Sequence, residues 1–144
     1  AHTALSIGIL ISIVSLIFYS GSKNLSLIGK PYDETPQAIF ATEIEKTPNA
    51  RILTYDVMDM GFFISSGNDP SNRYFCYLNI VDELPDIRES QDSLINDGYF
   101  DYIITYNDTF EWDGYEVVMQ SEYSIPYSNG ITYDYDFYLY KKIS

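Results

Sequence analysis

"QDSLINDGYFDYIITY", residues 91–106, changes its hydrophobic period halfway along, and that change sets the fold class. Read with the preceding "LPDIRES", it places Leu84, Ile87, Gln91, Leu94 and Ile95 at helical spacing. Gly98 is then a helix stop. "FDYIITY", which follows, reads as a strand with a continuous apolar centre, as expected of a strand covered by helices on both faces. A helix running into such a strand points to a layered α/β arrangement.

Working outward towards the amino terminus, "RYFCYLNI" (73–80) is rich in strand formers. "MDMGFFISSG" (58–67) reads as a brief helix ended by Gly67, and "NDPSN" (68–72) as a turn. "RILTYDV" (51–57) is a short apolar strand. Before it, Thr35 is placed as an N-cap, with Pro36 at the first helical position, where its missing N–H costs nothing. The helix "PQAIFATEIEK" carries Ile39, Phe40 and Ile44 on one side, and Pro48 closes it.

Towards the other end, "YEVVMQSEY" (115–123) is a fourth strand. "ITYDYDFYLYKK" (131–142) alternates, with Tyr133, Tyr135, Phe137 and Leu139 on one face and Asp134, Asp136 and Tyr138 on the other. That is a half-buried strand, paired antiparallel with the fourth across "SIPYSNG". The expected order is α-β-α-β-α-β-β-β. It implies a small Rossmann-like layered α/β sandwich with a mixed sheet and a carboxyl-terminal β-hairpin.

The amino-terminal "ALSIGILISIVSLIFYSG", residues 4–21, contains no charged residue. As a helix it would be about 27 Å long, close to the roughly 30 Å hydrocarbon core of a bilayer. It lacks the polar stripe of a water-facing helix, and its serines can bond back to the helix backbone. A basic leading region and a small-x-small cleavage pattern, the marks of a signal peptide, are missing. Gly8, Ser12 and Ser15 share one face, a spacing that lets helices approach closely within lipid. Residues 1–21 therefore read as a transmembrane helix, the last span of a longer polytopic protein. Residues 22–34 then form a connector and 35–144 the α/β domain.

Charge and cysteine usage narrow the function. The formal charge is −13, and every acidic residue lies at or beyond Asp33. From residue 31 onward, six basic residues face twenty-one acidic ones, a charge of −15. Such a surface repels nucleic acid phosphates, and no basic patch is visible in the sequence. The single Cys76, among aromatics, reads as a buried inert thiol. His2 is the one histidine, and no spaced cysteines accompany it, so no metal site is expected.

A nucleotide site is also unexpected. The glycines at 61 and 67 follow a strand, but no G-x-G-x-x-G or G-x-x-x-x-G-K pattern is present. Asp56 and Asp59 would oppose a phosphate there. No other cofactor motif and no nucleophile–base pair is visible. Ligands of open α/β sheets favour the carboxyl ends of the parallel strands. Those ends carry Asp56, Asp59, Asn79, Asn107 and Asp108, with Trp112 nearby as a loop anchor or sugar platform. Such side chains suit a sugar or a hard cation. Solvated turns and helix caps are the competing reading.

The segments "TPQAIFATEIEK", "ILTYDVMDMGFFISSGNDPSNRYFCYLNI" and "QDSLINDGYFDYIITY" resemble the carboxyl-terminal domain of bacterial polytopic C-class glycosyltransferases, relatives of protein mannosyltransferases. The matching features are Asp59-x-Gly61-Phe62, the "YFCYLNI" strand and Gly98-x-x-Asp101-Tyr102-Ile103-Ile104-Thr105. They cover residues 35–106. "YDVMDM" departs from the glycine-rich form of that loop. The resemblance implies sugar transfer from a polyprenyl-phosphate donor on the outer face of the cell membrane, with catalytic acids in an early loop outside this chain. This chain would then be an extracytoplasmic accessory domain plus the last span. Its partners would be the remaining spans, and a glycan or polyprenyl-linked sugar. Lys23 and Lys30 after the span favour the opposite orientation. The alternative is a single-span acidic surface domain that binds a cation or carbohydrate without catalysis.

Overall fold

The computed structural model describes residues 6–13, 15, 31–76, 85–126 and 131–143. The chain divides into two compact units, residues 1–30 with 125–133, and residues 31–124 with 134–144.

In the first unit residues 6–13 are helical (α1), as is residue 15. Ile7, Ile9, Leu10, Ile11 and Ile13 are each at least half exposed. The Ser12 hydroxyl donates to the Gly8 carbonyl at 2.9 Å, the backbone bond expected of a serine in an apolar helix. Among the described residues no helix is long and apolar enough to cross a membrane. Residues 1–5, 14 and 16–21 of the expected span, and connector residues 22–30, lie outside the described residues.

The second unit is a mixed α/β fold. A 3-10 turn, Tyr32–Glu34, leads into α2, Pro36–Ile44. Then come β1 (Ile52–Thr54), α3 (Phe62–Ser66), α4 (Pro85–Asn96), β2 (Tyr102–Thr105), β3 (Tyr115–Pro126) and β4 (Thr132–Lys142). The last two strands extend from the first unit into this one. The sheet order is β1-β2-β4-β3. β1 and β2 run parallel, with Ile52 opposite Tyr102 and Thr54 opposite Ile104. β2 and β4 are antiparallel, with Tyr102 opposite Lys141 and Thr105 opposite Tyr138. Between β3 and β4, the contacts Gln120–Tyr138 and Ser124–Asp134 run in opposite directions along the strands, as an antiparallel pair requires.

Local chemistry sets the boundaries. The Thr35 hydroxyl oxygen accepts from Ala38 N at 3.3 Å, capping α2, and Pro36 opens it. One Asp59 oxygen accepts from Gly61 N and Phe62 N, both at 3.0 Å, at the start of α3. Gly67 and Gly98 stop α3 and α4 at φ 66° and 62°, where a side chain would be strained.

Two clusters, built on alternate strand residues, fill the two faces of the sheet. On one, Phe40 and Ile44 of α2 and Phe62 and Phe63 of α3 pack over Ile52, Tyr102, Ile104, Phe137 and Leu139. On the other, Ile95 of α4 and Phe100 join Leu53, Ile103, Tyr115 and Tyr140. This double cover explains the unbroken apolar run of β2, all four of whose residues are buried.

Two expectations are revised. Residues 73–76 form a turn and a bend rather than the start of a strand, and residues 77–80 lie outside the described residues. Buried Gln91 takes the carbonyls of Tyr74 and Cys76, at 2.9 and 3.4 Å, so a side chain replaces the expected ladder there. Only the Phe75 carbonyl reaches a strand, accepting from Thr54 N at 2.9 Å. The inner half of β4 is buried on both faces, since Tyr140 enters the second cluster while Phe137 and Leu139 fill the first. Tyr133, expected on the buried face, is exposed.

Candidate functional site

The carboxyl ends of β1 and β2 hold a ring-and-charge cluster centred on Tyr55. Its hydroxyl donates to Asp92 Oδ1 at 2.7 Å. The Arg88 guanidinium lies over the Tyr55 ring, 4.3 Å from its centroid, and pairs with Asp56. Asp56 itself adopts a left-handed φ of 59°, rare for a residue with a side chain. Burial, helped by the Asp92 bond, pushes the Tyr55 hydroxyl up to about 12, so it keeps its proton at neutral pH.

Phe110 and Trp112 close the other side. They stack at 4.6 Å, and each meets the Tyr55 ring edge-on at 5.3 Å. Trp112 also meets Tyr140 at 5.0 Å, and the Tyr140 hydroxyl donates to the Asn107 carbonyl at 3.2 Å. Three rings, Tyr55, Phe110 and Tyr140, thus pack against Trp112 and tie the loop between β2 and β3 to the sheet.

The candidate residues thus separate. Asp56 and Trp112 converge around Tyr55, while the Asn107 carbonyl is held by Tyr140 behind Trp112. The Asn107 side chain is a turn cap, accepting from Thr109 N at 2.8 Å and from its hydroxyl at 2.6 Å. Asp59 caps α3, and Asp108 is exposed. Asn79 lies outside the described residues. Cys76 is buried, and burial raises its thiol above the usual range, as an inert thiol requires.

Arg88 and Asp92, which complete the cluster, were not among the sequence candidates. Their i, i+4 spacing on α4 was the available signal, because it puts both heads on one helix face. The Arg88 Nη1 atom is buried and has no hydrogen-bond partner among the described residues. Chemically, the cluster offers a protonated phenol, a compensated ion pair and packed rings. Among the described residues, no group of three or more His, Cys, Asp or Glu is placed to hold a metal ion.

The opposite end of the sheet carries a cavity of about 200 Å³, lined by Thr47, Asp101, Tyr102, Lys141, Lys142 and Ile143. Glu43 binds Lys141 at 2.8 Å and Lys46 at 2.5 Å, which holds its carboxyl below the usual range. Both Asp101 oxygens are held by Arg51, one by Nη2 at 3.1 Å and the other by the backbone N at 2.8 Å and Nε at 3.2 Å. No protein family's model, no curated protein and no solved structure matches this chain.

Proposed function

We propose that this chain is the last span and an extracytoplasmic accessory domain of a membrane glycosyltransferase using a polyprenyl-phosphate sugar donor, with the catalytic part outside this chain. The observation that carries the reading is α1. Its exposed Ile7, Ile9, Leu10, Ile11 and Ile13 lie all round the helix, a distribution that suits lipid rather than water. A Cβ built on Gly8 would meet nothing within 4 Å, which leaves the Gly8–Ser12–Ser15 face open to a neighbouring helix. The remaining spans of the parent protein are the partners proposed for that face.

The α/β unit supports an accessory role. Asp56, Asp59, Asp92 and Asp101 are each engaged in ion pairs, caps or hydrogen bonds, which leaves them poorly placed for acid–base work. The same engagement weighs against the cation-binding alternative.

Alkaline carbonate extraction of cells making the full chain tests the span. The chain should stay with the membrane pellet, while a chain beginning at Pro31 should be soluble without detergent. Release of the full chain into the supernatant would overturn the membrane reading. The coding sequence upstream of Ala1 tests the enzyme assignment, which requires many further spans and an acidic first loop there.

A further inference from the structure

The end of the β3–β4 hairpin differs in composition from the rest of the α/β sequence. Six basic and twenty-one acidic residues lie beyond residue 30, yet "YSIPYSNGITY", residues 123–133, carries no charge and is the longest such run there. Glu122 and Asp134 bound it. Within it, Ile131 is 50% exposed and Tyr133 46%. β2 ends at Thr105, opposite Tyr138, whereas β4 begins at Thr132. Thr132–Phe137 therefore run on past β2, with only β3 beside them among the described strands. Tyr133 continues the row of Phe137 and Leu139 but belongs to neither core cluster. A two-stranded ribbon is marginally stable in water by itself, and exposed strands are ordinarily guarded by charge. This end is not.

We infer that this hairpin end is a second membrane contact, in which Ile131 and Tyr133 enter the headgroup layer of a zwitterionic bilayer. Residues 125–133 fall in the same compact unit as α1, the helix proposed to lie in lipid, and the inference rests on that reading of α1. Tyrosine suits the headgroup layer because its ring is apolar and its hydroxyl stays hydrated. The charge pattern limits the depth. Asp134 stands three residues behind Ile131, about 10 Å along an extended strand. Interfacial segments enter by about 5–10 Å, so Ile131 can be covered while the Asp134 carboxylate remains in water. The charge of −15 beyond residue 30 repels anionic headgroups, which is why the fitting surface is zwitterionic. Two side chains make a weak contact, so the hairpin orients the α/β unit on a membrane to which α1 already holds it.

The test is amide NMR of the full chain in phosphatidylcholine nanodiscs. One sample contains a lipid spin-labelled just below its headgroup, and a second contains a water-soluble gadolinium chelate. The lipid label should broaden the amides of Ile131, Thr132 and Tyr133 as it does those of Ile7–Ile13, while Glu116 should respond to the chelate alone. Replacing both exposed residues, Ile131→Asp with Tyr133→Asp, should abolish the lipid broadening at Thr132 and leave that of α1 intact. An unchanged Leu139 amide shift would show that the core is preserved, and the comparison of hairpin with α1 in the unsubstituted chain stands even if the variant does not fold. Three results would overturn the hairpin contact and leave the reading of α1 in place: lipid broadening at α1 but not at Thr132, broadening at Thr132 that survives the double substitution, or protection of Thr132 from both reagents. No lipid broadening at Ile7–Ile13 would overturn the reading of α1 itself, and the hairpin contact with it.

Discussion

Asp56 holds a left-handed backbone at φ 59° while its carboxylate pairs with Arg88, so two effects meet in one residue and substitutions can separate them. Asp56→Gly removes the ion pair but relieves the backbone. Asp56→Ala removes the pair and keeps the strain. Denaturant unfolding should find the alanine variant less stable than the glycine variant by about 1 kcal/mol. Next to it, the Tyr55 hydroxyl is raised from 10.0 to about 12. A raised value means that the folded state holds the proton more tightly than the unfolded state does. The resulting stability is present in full below about pH 10 and is lost as the pH rises through about 12. Tyr55→Phe should remove that alkaline loss, and phenolate absorbance should show one late-titrating tyrosine fewer. The sequence marked Asp56 and Trp112 but could not show Arg88 reaching across from α4, because that contact spans 32 residues.

At the scale of elements, the ends were more legible than the middles. Thr35, Pro36, Gly67 and Gly98 act through their own backbone and nearest neighbours, so their residue types alone announced the boundaries. The segment at 73–76 was misread for the opposite reason. Its strand formers are outcompeted by a distant side chain, buried Gln91, which takes their carbonyls. The cavity at the other end of the sheet was hidden in the same way, since Glu43 and Lys141 lie 98 residues apart and meet only in the folded chain. Gly98 links a local signal to that remote site. A Cβ there would come within 2.9 Å of the Lys142 ammonium, on top of the cost of φ 62°. Gly98→Ala should therefore destabilise the fold by about 1 kcal/mol or more in urea unfolding. It should also displace Lys142, which an ammonium chemical-shift change would report.

For the whole molecule, β4 matters most, because Leu139 and Phe137 complete one core cluster and Tyr140 the other. Leu139→Ala should cost about 2–5 kcal/mol, measured by thermal or denaturant unfolding. It should loosen α2 and α3 together, since both rest on that cluster. The layered α/β class was visible in the period change at residues 91–106, but the interior position of β4 was not, because strand order leaves no trace in a local pattern. That position also bears on synthesis. The last strand made sits between β2 and β3, so neither can gain its sheet neighbour until residues 132–142 have left the ribosome. Until then β2 presents one open edge and β3 two, the condition in which chains pair wrongly with one another. A nascent chain stalled before Thr132 should therefore be protease-sensitive throughout the α/β unit and bound by chaperones. Protection should arrive in one step once Lys142 emerges.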